Sequence, residues 1–289
     1  MFPAAKRIVV IGDAHGDFIR VIHCLRTARV IDDSNNWIAA PNTYVVQMGD
    51  QVDSKDRVPD NKQWETGADI LLLRFMDTLD EAARVHGGRV LSLMGNHELM
   101  NMMGDFNYVS NASMTECGGP ENRLALFSRA GICGKMLANR YIVVRIGSLL
   151  FCHAGILPSH LNFIGENIDE LNVSFRRIMS GEVIERDVYI FQNIIVPMTG
   201  CLWTRKYMEA SVDAGSNNVL KDMLGVVLRT TKCTSMFIGH NTVPNTTVLA
   251  DGGLIFTDAC FSRAYGLDRY QFIDIEDNAM RVVQVQNEI

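Results

Sequence analysis

The chain has 289 residues, 47% of them hydrophobic and 21% charged, with a formal net charge of −6. That length can bury a substantial core as one large domain or two small ones, and the acidic balance argues against a broad electrostatic grip on nucleic acid. The longest apolar runs (IVVIG, ILLL, SLLF, GLIF) are strand-sized or parts of helices, far short of a bilayer span, so no membrane association is expected.

Arg7–Ile11 (RIVVI) is a continuous apolar run ending in Gly-Asp, the pattern of a strand buried on both faces. The short segment before it has no long apolar region of a secretory leader. Residues 18–29 carry apolar side chains along one helical face. Residues 44–48 are a second buried strand, again ending in Gly-Asp. Residues 66–84 space their leucines and alanines as a helix that ends at Gly87-Gly88. Residues 89–94 form a third strand, ending in Gly-Asn. Three strand–turn–helix units predict right-handed crossovers and a parallel sheet.

Residues 105–140 break this rhythm, with a Gly-Gly-Pro turn at 118–120, a helix around 121–130 and little β signal. They are expected to be an insertion near the site. Residues 141–146 and 148–152 are two β runs separated by one glycine, an antiparallel hairpin. Helices over about 160–200 are expected to cap the site, and 217–230 is a further helix. The tail alternates short strands at 234–238, 246–250, 253–257, 269–275 and 280–285. The expectation is a single domain over 1–289, built on two packed sheets.

Seven cysteines, an odd number without CxxC spacing, predict a reduced chain in the cytoplasm. None begins a C-x5-R loop, which argues against a cysteine nucleophile.

Five strings carry the chemistry: GDAHG (12–16), GDQVD (49–53), GNHE (95–98), CHAG (152–155) and GH (239–240). Most follow β runs, which gathers their polar residues at one sheet edge, where loops converge on ligands. Glycine before Asp, Asn or His allows a tight approach. Carboxylate, carboxamide and imidazole together suit borderline divalent ions such as Mn, Fe or Zn. Taken together, the set reads as a dinuclear hydrolase.

These strings resemble the signatures of the calcineurin-like metallophosphoesterases, in particular the phosphoprotein-phosphatase superfamily. GNHELMNMMGDFNYV (95–109), LWTR (202–205) and DACFSRAYG (258–266) are similar to its bacterial-type Shewanella-like branch. The resemblance implies an α/β fold, a four-layer α/β/β/α sandwich with two central mixed sheets. It implies that Asp13, His15 and Asp50 hold one metal, and that Asp50 bridges to a second held by Asn96, His153 and His240. Asn96 would also touch substrate, and a hydroxide between the metals would attack phosphorus. His97 would be the general acid that protonates the leaving alkoxide, held by Asp53. Manganese is the expected metal, with iron or zinc as alternatives.

Phosphate needs bidentate donors, which arginine supplies. In the family an arginine directly follows the second aspartate of GDxxD. Here the text is GDQVDSKDR, and Ser54 stands at that place. Arg57 or Lys55 is left as the substitute clamp, and Arg205 of LWTR is the second. Asp17 is read as a helix cap. Met94, Met100, Met102 and Met103 are read as an apolar shell, and His23, His86 and His160 as ordinary structural histidines. The leading expectation is a protein phosphatase for serine/threonine or tyrosine phosphoesters. The alternatives are a dinucleoside-polyphosphate or cap pyrophosphohydrolase and a phospho-binding pseudophosphatase. Oligomeric state is not legible.

Overall fold

The computed structural model describes residues 1–57, 66–213 and 217–286. In chain order its strands are β1 (Arg7–Ile11), β2 (Thr43–Gln47), β3 (Arg89–Ser92), β4 (Val143–Ile146), β5 (Leu149–Cys152), β6 (Ser235–Ile238), β7 (Thr247–Leu249), β8 (Leu254–Phe256), β9 (Arg269–Glu276) and β10 (Ala279–Gln286). One five-stranded sheet has the order β10-β9-β1-β2-β3, the other β4-β5-β6-β8-β7. β1, β2 and β3 run parallel, and β9 closes on β1 antiparallel. In the second sheet β5, β6 and β8 are parallel, with β4 and β7 antiparallel at the edges. Both sheets are therefore mixed.

Alternation along the strands builds the layers. Ile8 and Val10 face the second sheet, where they meet Ile146, Phe151, Phe237 and Ile255. Val9 and Ile11, one residue out of phase, face α1 (Phe18–Thr27) and α2 (Asp69–Val85) through Val21, Leu25, Leu72 and Met76. On the far side of the second sheet, Leu150, Cys152, Met236 and Ile238 pack against the remaining helices. The result is the expected α/β/β/α sandwich. Among the described residues no helix is long and apolar enough to cross a membrane.

Two segments depart from the sequence reading. β3 stops at Ser92, and the GNHE string opens α3 (Asn96–Met102), a helix the sequence reading did not anticipate. The segment 105–140 holds three short helices instead of one: α4 (Asn111–Glu116), α5 (Pro120–Phe127) and α6 (Ile132–Leu137). Pro120 opens α5 at a position where its missing N–H costs nothing. Beyond β5 come α7 (Pro158–Ile164), α8 (Asp169–Ser180), α9 (Glu185–Ile190), a π-helical turn over Phe191–Ile195, α10 (Lys206–Val212) and α11 (Asn217–Thr231).

Candidate active site

Because β1 and β2 run parallel and end in Gly-Asp, Asp13 and Asp50 leave the first sheet at the same edge, and Asn96 follows β3 there. β5 and β6, also parallel, deliver His153 and His240 from the second sheet. Four residues of the five strings sit in left-handed backbone: His15 (φ 43°), Asp50 (φ 49°), Asp53 (φ 70°) and His240 (φ 59°). Side chains rarely adopt that conformation, and such strain collects where a fold aims functional groups. Close approach, not torsional freedom, explains Gly95, whose φ is an ordinary −104°. A Cβ there would lie 2.1 Å from Asp50 Oδ1 and 2.3 Å from the Asp50 backbone nitrogen.

The six residues expected to hold metal converge. Two sets of ligand atoms lie within 4.8 Å of one another, His15 with Asp50 and His97, and Asp50 with His153 and His240. Asp50 is common to both. Its Oδ2 is 3.4 Å from His153 Nε2 and 3.9 Å from His97 Nε2, and its Oδ1 accepts from the His97 backbone N–H at 3.0 Å. Asn96 Oδ1 lies 3.0 Å from His153 Nε2 and 2.9 Å from His240 Nδ1. Asp13 stands beside them, one oxygen accepting from the His240 N–H at 2.8 Å and the other buried with no partner.

Backbone carbonyls fix the imidazoles from behind. His153 Nδ1 faces Met48 O at 2.8 Å, His15 Nδ1 faces Val52 O at 3.3 Å and His240 Nε2 faces Trp203 O at 3.0 Å. In each ring the other nitrogen points into the cluster, the orientation that metal-ligating histidines take.

The electrostatics fit a cation. Burial, with the nearby carboxylates of Asp258 and Asp50, pushes Asp13 well above the usual carboxylate range. Burial also opposes charge on Asp50, but His153 and His97 outweigh it and hold that carboxyl well down. His153 is correspondingly pushed up to about 10 by Asp50 against its burial. Burial and His153 push His240 down to about 3, so it is neutral. A neutral imidazole has one N–H. With Nε2–H spent on Trp203, the Nδ1 lone pair of His240 confronts the Asn96 carbonyl oxygen at 2.9 Å. Two lone pairs aimed at each other, beside an unpartnered carboxylate oxygen, suit a divalent ion.

Asp13, His15, Asp50, Asn96, His97 and His240 line a cavity of about 480 Å³, together with Arg57, Tyr108, Trp203, Arg205, Asp258 and Tyr265, while His153 is fully buried behind them. Arg57 reaches inward: Nη1 is 3.4 Å from His15 Nε2, Nη2 is 3.4 Å from His97 Nε2, and the guanidinium sits 5.2 Å from the Tyr108 ring centroid. Lys55 turns outward to Asn107 O at 3.2 Å. Ser54, which replaces the family's arginine, is buried and exchanges hydrogen bonds of 2.8 Å with Thr66 O and N. Thr66 in turn donates to His15 O at 2.6 Å. Arg205 lines the cavity and approaches His240 O at 3.4 Å.

His97 Nδ1 lies 3.0 Å from Asp53 Oδ2, leaving Nε2 toward the cavity. Three buried groups that sequence reasoning left without a role complete the frame. Glu98 accepts from four backbone N–H groups, at Gly95 (2.7 Å), Asp50 (2.9 Å), Gln51 (2.6 Å) and Val52 (3.3 Å), and so staples the Asp50 turn to α3. The bond from the Gly95 N–H is half of a capping box, and because Gly95 has no side chain to return it the sequence does not carry the full signal. Asp258, at the end of β8, accepts from Thr242 Oγ1 at 2.7 Å, and burial pushes it up to about 6. Arg123, from α5, reaches Asp53 and had no sequence signal.

Other expectations sort cleanly. Asp17 caps α1 and also accepts from the Arg263 backbone at 2.7 Å, tying the DACFSRAYG loop to the GDAHG turn. The methionine shell shrinks: Met94 is buried and Met100 lines the cavity, but Met103 is 65% exposed because it ends α3 facing solvent. His23 pairs with Tyr270, His86 with its own helix end, and His160 with Leu157 and Thr199, all away from the cavity.

Comparison with known proteins agrees with this geometry. An uncharacterised protein of Schizosaccharomyces pombe is 30% identical over 271 residues, covering 91% of this chain and 75% of that protein. Shewanella-like protein phosphatase 2 of Arabidopsis thaliana is 28% identical over 212 residues, 58% of this chain, which spans about half (51%) of that relative's length. A cold-active protein-tyrosine phosphatase of a psychrophilic Shewanella superposes with a TM-score of 0.77 over 99% of this chain and 81% of that one, at 21% identity, a likeness of fold. The calcineurin-like phosphoesterase family itself matches residues 6–240, from the start of the first sheet through His240. Strand-end carboxylates and imidazoles, a carboxylate common to two clusters and the sequence match coincide, and the chain belongs to the calcineurin-like phosphoesterase family, metal-dependent hydrolases of phosphate esters.

Proposed function

We propose that this chain is a metal-dependent protein phosphatase of the Shewanella-like kind, acting on phosphoserine, phosphothreonine or phosphotyrosine. The observation that carries the reading is Asp50, a buried carboxylate common to two ligand clusters, with His97 and Arg57 set across the same cavity. One metal would be held by Asp13, His15 and Asp50, and the second by Asp50, Asn96, His153 and His240. When bound, two such ions supply Lewis-acid polarisation of the phosphoryl oxygens and an activated water for in-line displacement.

The chain's own residues do the rest. Arg57 and Arg205 bind and orient the phosphoryl oxygens, and the amide of Asn96 stands close enough to join them. Asp53 accepts the Nδ1 proton of His97 and keeps Nε2–H directed at the departing oxygen, which takes that proton as the P–O bond breaks. Trp203, Tyr108 and Tyr265 wall the cavity and restrict water.

Manganese fits a mixed carboxylate, carboxamide and imidazole set. The chain is read as one domain, with 105–140 as an insertion beside the site and about 160–200 as its cap. A cytoplasmic location is supported by seven unpaired thiols. A panel of phosphoserine, phosphothreonine and phosphotyrosine peptides with added manganese tests the function. Release of phosphate from any of them supports it; turnover of diadenosine tetraphosphate with every peptide left intact overturns it.

A further inference from the structure

Arg123 lies on α5, in the segment outside all five strings, yet its side chain is fully buried. Its guanidinium is held on every edge. Nε donates to Asn101 Oδ1 at 2.7 Å, and Nη2 to Asp69 Oδ2 at 2.8 Å and Asp53 Oδ1 at 3.3 Å. Nη1 reaches Ser113 O at 3.4 Å and Cys117 Sγ at 3.5 Å, and the Phe127 ring lies 4.7 Å away. Asn101 closes the figure, donating to both Asp53 oxygens at 2.9 Å.

An apolar side chain of similar volume would fill this space without the desolvation cost of a buried ion. What it could not do is hold Asp53. Arg123 holds Oδ1 and Asn101 straddles both oxygens, which fixes the plane of the carboxylate and sets Oδ2 3.0 Å from His97 Nδ1. Without the guanidinium the carboxylate can turn about its last torsion and carry the ring with it. An arginine fork suits this duty because it is rigid and always charged.

We propose that Arg123 is a positioning residue for the leaving-group proton: it locks Asp53, and through Asp53 it aims His97. The 105–140 segment is thereby part of the catalytic frame and not only a neighbour of the cavity. This inference rests on the reading of His97 as the proton donor.

The test compares two esters with manganese saturating. Phenyl phosphate needs its leaving oxygen protonated; the 2,4-dinitrophenyl ester releases an anion that leaves unaided. The variants are Arg123→Lys and the double change Arg123→Met with Asp69→Asn, which removes one buried carboxylate along with the cation. We expect kcat for phenyl phosphate to fall roughly ten- to a hundredfold in the double variant, the range for losing a group that orients a site residue. Its KM, and kcat for the dinitrophenyl ester, should barely move, and Arg123→Lys should fall between the double variant and the wild type. Equal losses on both esters, a change in KM alone, or full activity on phenyl phosphate overturns the proposal. A wild-type protein inactive on both esters with every divalent ion overturns the phosphatase reading first, which separates the two failures.

Discussion

Arg57 stands three residues after the position where the family keeps its arginine, and replacing it measures whether position in sequence or position in space matters. Arg57→Ala removes a fork whose two terminal nitrogens lie 3.4 Å from His15 and His97, over the place where phosphoryl oxygens would sit. Hydrogen bonds to charged groups contribute roughly 1.5–3 kcal/mol each. Losing a bidentate pair, less what solvent restores, should raise the barrier by about 2–4 kcal/mol, or roughly 30- to 1000-fold in kcat/KM. Arg57→Lys keeps the charge but not the fork, and should recover only part of that loss. Lys55→Ala is the internal control, because its exposed ammonium is bonded to Asn107 O and does not line the cavity, so the change should alter kcat/KM little. The assay is steady-state hydrolysis of p-nitrophenyl phosphate with manganese. If Lys55→Ala costs as much as Arg57→Ala, or if Arg57→Ala leaves kcat/KM unchanged, the clamp has been misassigned.

Three further outcomes follow from the buried polar framework. Glu98→Gln places an amide NH2 against at least two of the four backbone N–H groups that Glu98 now satisfies. Urea unfolding should lose about 2–4 kcal/mol, with a weakened hold on metal because the Asp50 turn is no longer stapled. Gly95→Ala drives a methyl into Asp50, so it should lower stability by about 1–3 kcal/mol and abolish turnover; normal turnover would show that the close approach relaxes. His160 accepts from Leu157 N–H and donates to Thr199 O, and burial pushes it down to about 4. The unfolded chain therefore binds the proton more tightly. The stability this neutral histidine contributes is fully present above pH 6.5 and is lost as pH falls toward 4, by at most about 3 kcal/mol. Urea titrations across that window should be flatter for His160→Gln, and an unchanged slope would contradict the assignment.

What the sequence reveals here is the part that local chemistry determines. After Arg7, β1 is apolar at every position because Ile8–Ile11 are buried on both faces, so its place in the sheet and the turn that follows it were legible. The histidines and carboxylates proposed to hold metal could be picked out because each sits in a short glycine-flanked string. α3 was not, because seven residues with Leu99, Met100 and Met102 among polar side chains are too short to show a helical stripe, and its start is set by the Glu98 carboxylate. Of the helices in 105–140, α5 matches the one expected around 121–130, whereas α4 and α6 escaped because each has only six residues, too few to show a helical apolar stripe. Arg57 could be named but not aimed: its direction depends on the Ser54–Thr66 hydrogen bonds, between residues twelve apart.

Metal content and turnover measured together on one preparation test the central claim most directly. After chelation and reconstitution with manganese, the wild-type chain should bind two ions and hydrolyse p-nitrophenyl phosphate. Asp50→Asn, which weakens the carboxylate common to both clusters, should lose activity together with at least one of the two ions. Full turnover by metal-free protein, or by Asp50→Asn, would contradict the account.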